Sequence, residues 1–190
     1  MATPILYLIP TVLAEDGYEA IPAYIREAVQ QCGCFFVEHE RTARRYLKKI
    51  WPEMVIDQYR WYRIDPSDPT QKKTLLEEME RCHVGILSEA GCPGIADPGQ
   101  QLVAWAQDAH MLVKPLVGPS SILLALMASG MNGQQFRFHG YLAIDQAQRN
   151  RQLRELEAES LKTGCTQIFI ETPYRNNQLL EALVQQLRPD

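Results

Sequence analysis

Ile5-Leu6-Tyr7-Leu8-Ile9 is an unbroken apolar run that ends at Pro10-Thr11. A strand written this way has no polar face to give to water, so both of its faces must be covered. Runs of the same kind follow at Cys34-Phe35-Phe36-Val37, at His83-Val84-Gly85-Ile86-Leu87 and over Met111–Val117. Segments with helical spacing separate them. Ile21, Tyr24, Ile25, Ala28 and Val29 predict a helix with Pro22 in its first turn and Gly33 as its stop. Thr74 to Arg81 predicts another, with Leu75, Leu76 and Met79 inward, and Leu102, Val103, Trp105 and Ala106 mark the face of a third. Strand and helix in alternation predict an α/β protein with mainly parallel pairing. The expected architecture is two α/β domains: residues 1–117 with a mainly parallel sheet, and residues 118–190 with a mixed sheet. Only two clear strands follow Gly118, at Phe136–Leu142 and Thr166–Glu171, so the second sheet is expected to be incomplete at its C-terminal end.

The connection after the His83–Leu87 run departs from ordinary α/β loops. Ser88-Glu89-Ala90-Gly91-Cys92-Pro93-Gly94-Ile95-Ala96-Asp97-Pro98-Gly99 consists of glycine, proline, small residues and two acids, and helical spacing resumes only near Gln101. Connections of this type usually take about 2–6 residues. Glycine permits positive φ and close approach to a ligand, while proline keeps the loop stiff. A loop of this kind at the carboxyl end of a buried strand sits where open α/β sheets bind ligands. A second small-residue turn, Gly118-Pro119-Ser120-Ser121, leads into an apolar helix over Ile122–Ala128, which Ser120 or Ser121 caps. The free amides at that helix start suit a carboxylate or another polar group.

Charge and cysteine usage narrow the class. The formal net charge is −4, which argues against a generally basic nucleic-acid coat but leaves room for a local basic patch. Such a patch is predicted on the helix after the second strand, where Arg41, Arg44, Arg45, Lys48 and Lys49 recur at i, i+3, i+4, i+7 and i+8. That spacing suits contact with a phosphate backbone as well as a solvated face. Tyr59, Trp61 and Tyr62 suit either base stacking or core packing, the latter favoured, within a strand or strand pair over Met54–Ile64. The five cysteines include no Cys-x-x-Cys and no clustered histidine, which argues against a zinc site or a disulfide framework and for a reducing cytoplasm. Cys92 reads as a small filler, with no His or Lys beside it to activate the thiol. No run of about 18 apolar residues marks a membrane span, and the N-terminus lacks the basic lead of a signal peptide.

The stretch from Ser88 to Gly99 resembles the S-D-A-G-T-P-x-I-x-D-P-G signature of the ribosomal RNA small-subunit methyltransferase I family, within the tetrapyrrole methylase superfamily. Pro115-Leu116-Val117-Gly118-Pro119-Ser120-Ser121 is similar to P-L-P-G-P-S-A. Phe136–Leu142, with Ser129-Gly130 before it, is similar to S-G-L-P-x-x-x-F-x-F-x-G-F-L, and Glu171-Thr172-Pro173-Tyr174-Arg175 to E-S-P-H-R. Two stretches differ: the family's T-P-I-G-N-L-x-D stands here as Pro10 to Asp16 without its glycine, and its A-E-D-T-R as Val37-Glu38-His39-Glu40-Arg41. Both would line the acceptor side.

The resemblance implies S-adenosylmethionine held in a cleft between two α/β domains. It assigns cofactor contact to Pro10, Ser88, Glu89, Ala90, Gly91, Pro93, Gly94, Ile95, Asp97, Pro98, Pro119, Ser120, Ser121, Gly140, Tyr141 and Leu142. Glu38, His39 and Glu89 become candidates for the base or for orienting the acceptor, and Arg41, Arg44, Arg45 and Lys48 for RNA contact. The implied reaction is 2′-O-methylation of ribosomal RNA in the small subunit, by a cytoplasmic homodimer without metal or membrane. A tetrapyrrole or corrin precursor methylase, and a cofactor-binding module without turnover, are the alternatives. The family also continues for further strands beyond position 190.

Overall fold

A computed structural model describes residues 3–189. The chain divides after Ser121 into two compact units. The first carries β1 (Ile5–Ile9), α1 (Ile25–Gln31), β2 (Cys32–Val37), α2 (Glu40–Ile50), β3 (Arg60–Arg63), α3 (Gln71–Arg81), β4 (His83–Leu87), α4 (Gly99–Asp108) and β5 (Leu112–Pro115). The five strands form one sheet in the order β3-β2-β4-β1-β5. Every pairing is parallel, with Leu6 opposite Val84 and Phe36 opposite Ile86.

Period-2 alternation sorts the strand side chains between two cores. Tyr7, Ile9, Phe35 and Val37 pack with Ile25, Ala28 and Val29 of α1 and Ala43, Tyr46 and Leu47 of α2. Leu6, Cys34, Phe36, Val84 and Ile86 pack with Leu75 and Met79 of α3 and Leu102 and Ala106 of α4. The apolar runs therefore mark strands covered on both faces. Trp61 and Tyr62 stack on Phe35 and Phe36 at ring-centroid distances of 5.0 Å and 4.8 Å. They extend the core rather than offer free rings.

Some element limits differ from the sequence expectation for local reasons. A 3-10 turn at Gly17–Ala20 and a turn closed by the Ile25 N–H on the Pro22 carbonyl (3.0 Å) take up the first periodic residues, so α1 starts at Ile25. Gly33 does not stop a helix. It lies inside β2, where the register to β4 shifts between Cys32 and Cys34. Between Met54 and Ile64 only Arg60–Arg63 is strand, and Ile56–Gln58 forms a 3-10 turn.

The second unit holds most of α5 (Ser121–Ser129), then β6 (Phe136–Tyr141), α6 (Gln146–Thr163), β7 (Thr166–Ile170) and α7 (Asn176–Gln186). Over the described residues β6 and β7 pair in parallel, with α6 as the crossover. Asp145 caps α6 by accepting the Gln148 N–H at 2.9 Å, and Gly164 closes it at φ 69°. The core of this unit is small, built on Leu142, Leu153, Leu179 and Ala182.

Gly85 makes the stacking of β4 on its neighbours possible. A Cβ there would lie 2.6 Å from Phe35 Cδ1 and 2.7 Å from Ile9 Cδ1. Gly85→Ala is expected to overpack this core and lower stability by about 1–3 kcal/mol, read as a lower urea midpoint with an unchanged slope.

Candidate active site at the carboxyl edge of the first sheet

β1 and β2 hand the chain to α1 and α2, whose apolar faces lie in the core on one side of the sheet. β4 hands it to α4, which lies on the other. β4 stands between β2 and β1. The connections therefore diverge around the carboxyl end of β4, which is the switch point where sheets of this kind open a crevice. The Ser88–Pro98 loop leaves from that point.

Neighbouring loops are stitched to it. The Thr11 N–H donates to the Gly91 carbonyl at 2.8 Å in an antiparallel bridge, and the Thr11 hydroxyl donates to the Ser88 carbonyl at 3.2 Å. Thr11 is only 4% exposed, so neither bond competes with bulk water. The buried Tyr46 hydroxyl of α2 donates to the Pro10 carbonyl at 2.6 Å, and burial pushes its pKa well above the usual phenol value. The Gly118 turn closes on the same place: a Cβ at Gly118 would sit 2.0 Å from Pro10 Cβ, and the Cys92 thiol donates to the Pro119 carbonyl at 3.4 Å. Burial raises the Cys92 pKa, as befits a filler.

Asp97 holds the loop to itself. Its carboxylate accepts the Gly94 N–H at 2.8 Å and 2.9 Å on its two oxygens and the Gly99 N–H at 2.7 Å. Burial still outweighs these amides and raises its pKa. This clasp turns Gly94 to φ 87° and Ala96 to φ 58°, and leaves Ile95 half exposed at the loop tip. Pro93 is buried and Pro98 half-buried.

A cleft of about 340 Å³ opens between these loops and α2, lined by Thr11–Glu15, Tyr18, Thr42, Ala43, Arg45, Tyr46 and Ser88–Ala90. Glu89 reaches it directly. Glu38 is anchored beside it, its Oε1 accepting the Glu89 N–H at 3.0 Å. Burial is the main cause that raises the Glu38 pKa; the Asp97 and Glu89 charges add to it, while that amide and His39 pull the other way. His39 is the exposed N-cap of α2 and makes no capping bond. Thr11 and Tyr46 were not among the expected site residues. Tyr46 has a sequence signal, a polar-tipped residue between Ala43 and Leu47 on the inward face of α2. Thr11 lies in the Pro10 to Asp16 stretch that the resemblance places on the acceptor side, but nothing in the sequence marks its bonds to the Ser88 loop.

The cationic helix divides its labour. Arg44 and Lys49 flank the buried stripe of α2 on opposite sides. Arg44 pairs with Glu40 and lies 5.1 Å over the Trp61 ring, and Lys49 lies 5.6 Å over Tyr18. Lys48 donates to the Pro52 carbonyl and, at 3.0 Å, to the Met54 carbonyl. Arg45 lines the cleft and Arg41 is exposed. Gly140, Tyr141 and Leu142 belong to the second unit, where Gly140 takes φ 67°, Tyr141 is exposed and Leu142 is core. Among the described residues the trio Cys34, Glu78 and Cys82 has metal-ligand types, but the Glu78 carboxylate is already held by Arg60 (3.0 Å) and the trio does not line the cleft.

The first unit is an open parallel α/β sheet with a cleft at its switch point. A crystal structure of a diphthine synthase shares the fold at a TM-score of 0.61 and 13% identity, over 95% of this chain and 72% of that one. In sequence, the chain is similar to proteins named ribosomal RNA small subunit methyltransferase I. It is 32% identical to that of Micromonospora olivasterospora over 90% of this chain and 51% of the relative. It is 28% identical to that of Vibrio cholerae over 97% of this chain and 61% of the relative. The chain thus spans about half to three fifths of the length of these relatives. No family model matches it.

Asp97→Ala is expected to leave the Gly94 and Gly99 amides without their acceptor and to cost about 1–3 kcal/mol. Asp97→Asn keeps one acceptor and should cost less. Amide hydrogen exchange at Gly94 and Gly99, faster in the Ala variant, checks the clasp.

Proposed function

We propose that this chain carries the cofactor and acceptor sites of an S-adenosylmethionine-dependent methyltransferase that modifies a ribose 2′-oxygen of ribosomal RNA. The observation that carries the reading is Glu38, a half-buried carboxylate fixed on the Glu89 amide beside the cleft. The similarity to relatives named for this activity supports it.

The loops fit the cofactor. Gly94 has open space where a Cβ would stand, Ala90 adds little bulk, and Ile95 offers an exposed apolar surface. These small and apolar groups suit a ligand gripped through backbone atoms. Pro10, the Ser88–Pro98 loop and the Pro119–Ser121 turn would hold it. When bound, S-adenosylmethionine supplies a methyl group already activated by a sulfonium, so the main task of the protein is positioning. Glu38 takes the proton from the ribose hydroxyl, and its raised pKa makes it a better base than an ordinary carboxylate. Glu89 orients the acceptor at the cleft wall, and Arg41 and Arg45 meet the flanking phosphates. Trp61 and Tyr62 are committed to the core, which removes them as a stacking platform for a base and for a tetrapyrrole alike. The reading includes a homodimer, supported by the exposed Leu123, Leu124 and Met127 on α5, and a cytoplasmic site of action, supported by the ribosomal RNA in the relatives' name. Among the described residues no helix is long and apolar enough to cross a membrane.

Glu38→Gln keeps the acceptor for the Glu89 amide and is expected to lower methyl transfer to small ribosomal subunits by about 10²-fold or more. The parent rate should rise with pH through a value above the ordinary carboxylate range, and the variant should lack that limb. Stability gives the matching sign. Glu38 binds its proton more tightly folded than unfolded, so stability falls as pH rises between those two pKa values, and the variant escapes that fall. Cofactor binding without methyl transfer in the parent would leave only a binding module.

Charge reversal separates the cations. Arg41→Glu with Arg45→Glu should weaken RNA binding and flatten its salt dependence by about two phosphate contacts. Arg44→Glu should act mainly on stability, through Trp61. Filter-binding titrations across a salt series check both.

A further inference from the structure

The second unit buries one arginine that forms no ion pair with a carboxylate among the described residues. Arg149, in the first turn of α6, keeps only 9% of its surface exposed. Its Nη1 donates to the Ile144 carbonyl at 3.0 Å, and its Nε is buried without a partner among the described residues. Four more exposed arginines of this unit pair with carboxylates: Arg137 with Glu159 at 3.3 Å, Arg151 with Glu155 at 2.8 Å, Arg175 with Glu171 at 2.7 Å and Arg188 with Glu157 at 3.7 Å. The exposed Arg154 donates to the Gln186 amide oxygen instead. A buried guanidinium cannot shed its proton to escape the cost of desolvation. A counter-charge from outside the unit would resolve that cost.

Arg149 lines a cavity of about 350 Å³ between α6 and α7. Gln146 lies on the α6 side. Gln178, Glu181 and Gln185 lie on the α7 side, at i, i+3 and i+7, so one helix face supplies all three. The start of α6 adds the positive end of an 18-residue helix. Its cap is already formed by Asp145, which leaves the charge of the site to Arg149.

We propose that this cavity binds a phosphate group that carries a hydroxyl beside its charge. Arg149 holds the phosphate oxygens, the Gln178 and Gln185 amides donate to them, and Glu181 accepts from the hydroxyl. A bare anion would face Glu181 with nothing to offer it. Two sources have this chemistry: a free phosphate in a protonated form, and an RNA backbone phosphate with its 2′-hydroxyl. The inference does not rest on methyl transfer, and its test touches no residue of the first unit.

The test uses the full chain, calorimetric titration with inorganic phosphate at constant ionic strength, and Arg149→Met as the variant. The parent is expected to bind phosphate and to melt at a higher temperature in its presence. Arg149→Met is expected to lose at least about tenfold in phosphate affinity. In phosphate-free buffer it should melt no lower than the parent, because an apolar side chain replaces an uncompensated buried charge. Unchanged phosphate affinity in the variant overturns the proposal, as does a parent that does not bind phosphate. A variant that melts lower in phosphate-free buffer also overturns it, since Arg149 is then structural. Displacement of phosphate by pentauridylate, and not by its deoxy counterpart, assigns the site to the RNA backbone. Phosphate binding without that displacement assigns it to a free phosphate compound, and either result upholds the site.

Discussion

The bridge between Thr11 and Gly91 ties the first unit's candidate site together. It joins the exits of β1 and β4, adjacent strands whose helices leave on opposite faces of the sheet. Divergence alone would leave a wide, wet notch. Two donors from one buried threonine close its base, while Tyr46 and Gly118 press Pro10 from α2 and from the turn after β5. Four segments far apart in sequence thus share one point, and the cleft wall is as rigid as that point.

Sequence made some of this legible and left the rest out of reach for a physical reason. Strand runs such as Ile5–Ile9 announce themselves because burial on both faces removes every polar residue. The Ser88–Gly99 loop is legible because its composition would be wasteful in a plain connector. The start of α1 was misplaced because Ile21 is apolar at helical spacing yet belongs to a turn, a distinction that periodicity cannot make. The bridging role of Thr11 was invisible because its meaning lies in carbonyls far along the chain, at Ser88 and Gly91.

Arg41 to Lys49 shows a different limit. Spacing puts the five cations on one broad arc, but only the structure shows what borders that arc. Arg44 and Lys49 at its edges find aromatic rings, and Lys48 finds the carbonyls that follow the helix. A cation on a ring or a carbonyl has already given up part of its hydration and has less to gain from a phosphate. The motif therefore overstates the charge available to a partner, and Arg41 and Arg45 carry what remains.

The same reasoning about hydration sets the character of the carboxylates. Glu38 and Asp97 both accept backbone amides, which taken alone would lower their pKa values, yet both are raised. Desolvation outweighs the amides in each. The two differ in what their oxygens have left to do. Asp97 divides its carboxylate between Gly94 and Gly99 and so serves the shape of its loop. Glu38 spends Oε1 on one amide, and Oε2 takes part in no hydrogen bond among the described residues. A carboxylate that is fixed through one oxygen, partly dehydrated and still open at the other combines orientation with basicity. That combination distinguishes Glu38 from Asp97, although the two carry the same charge beside the same loop.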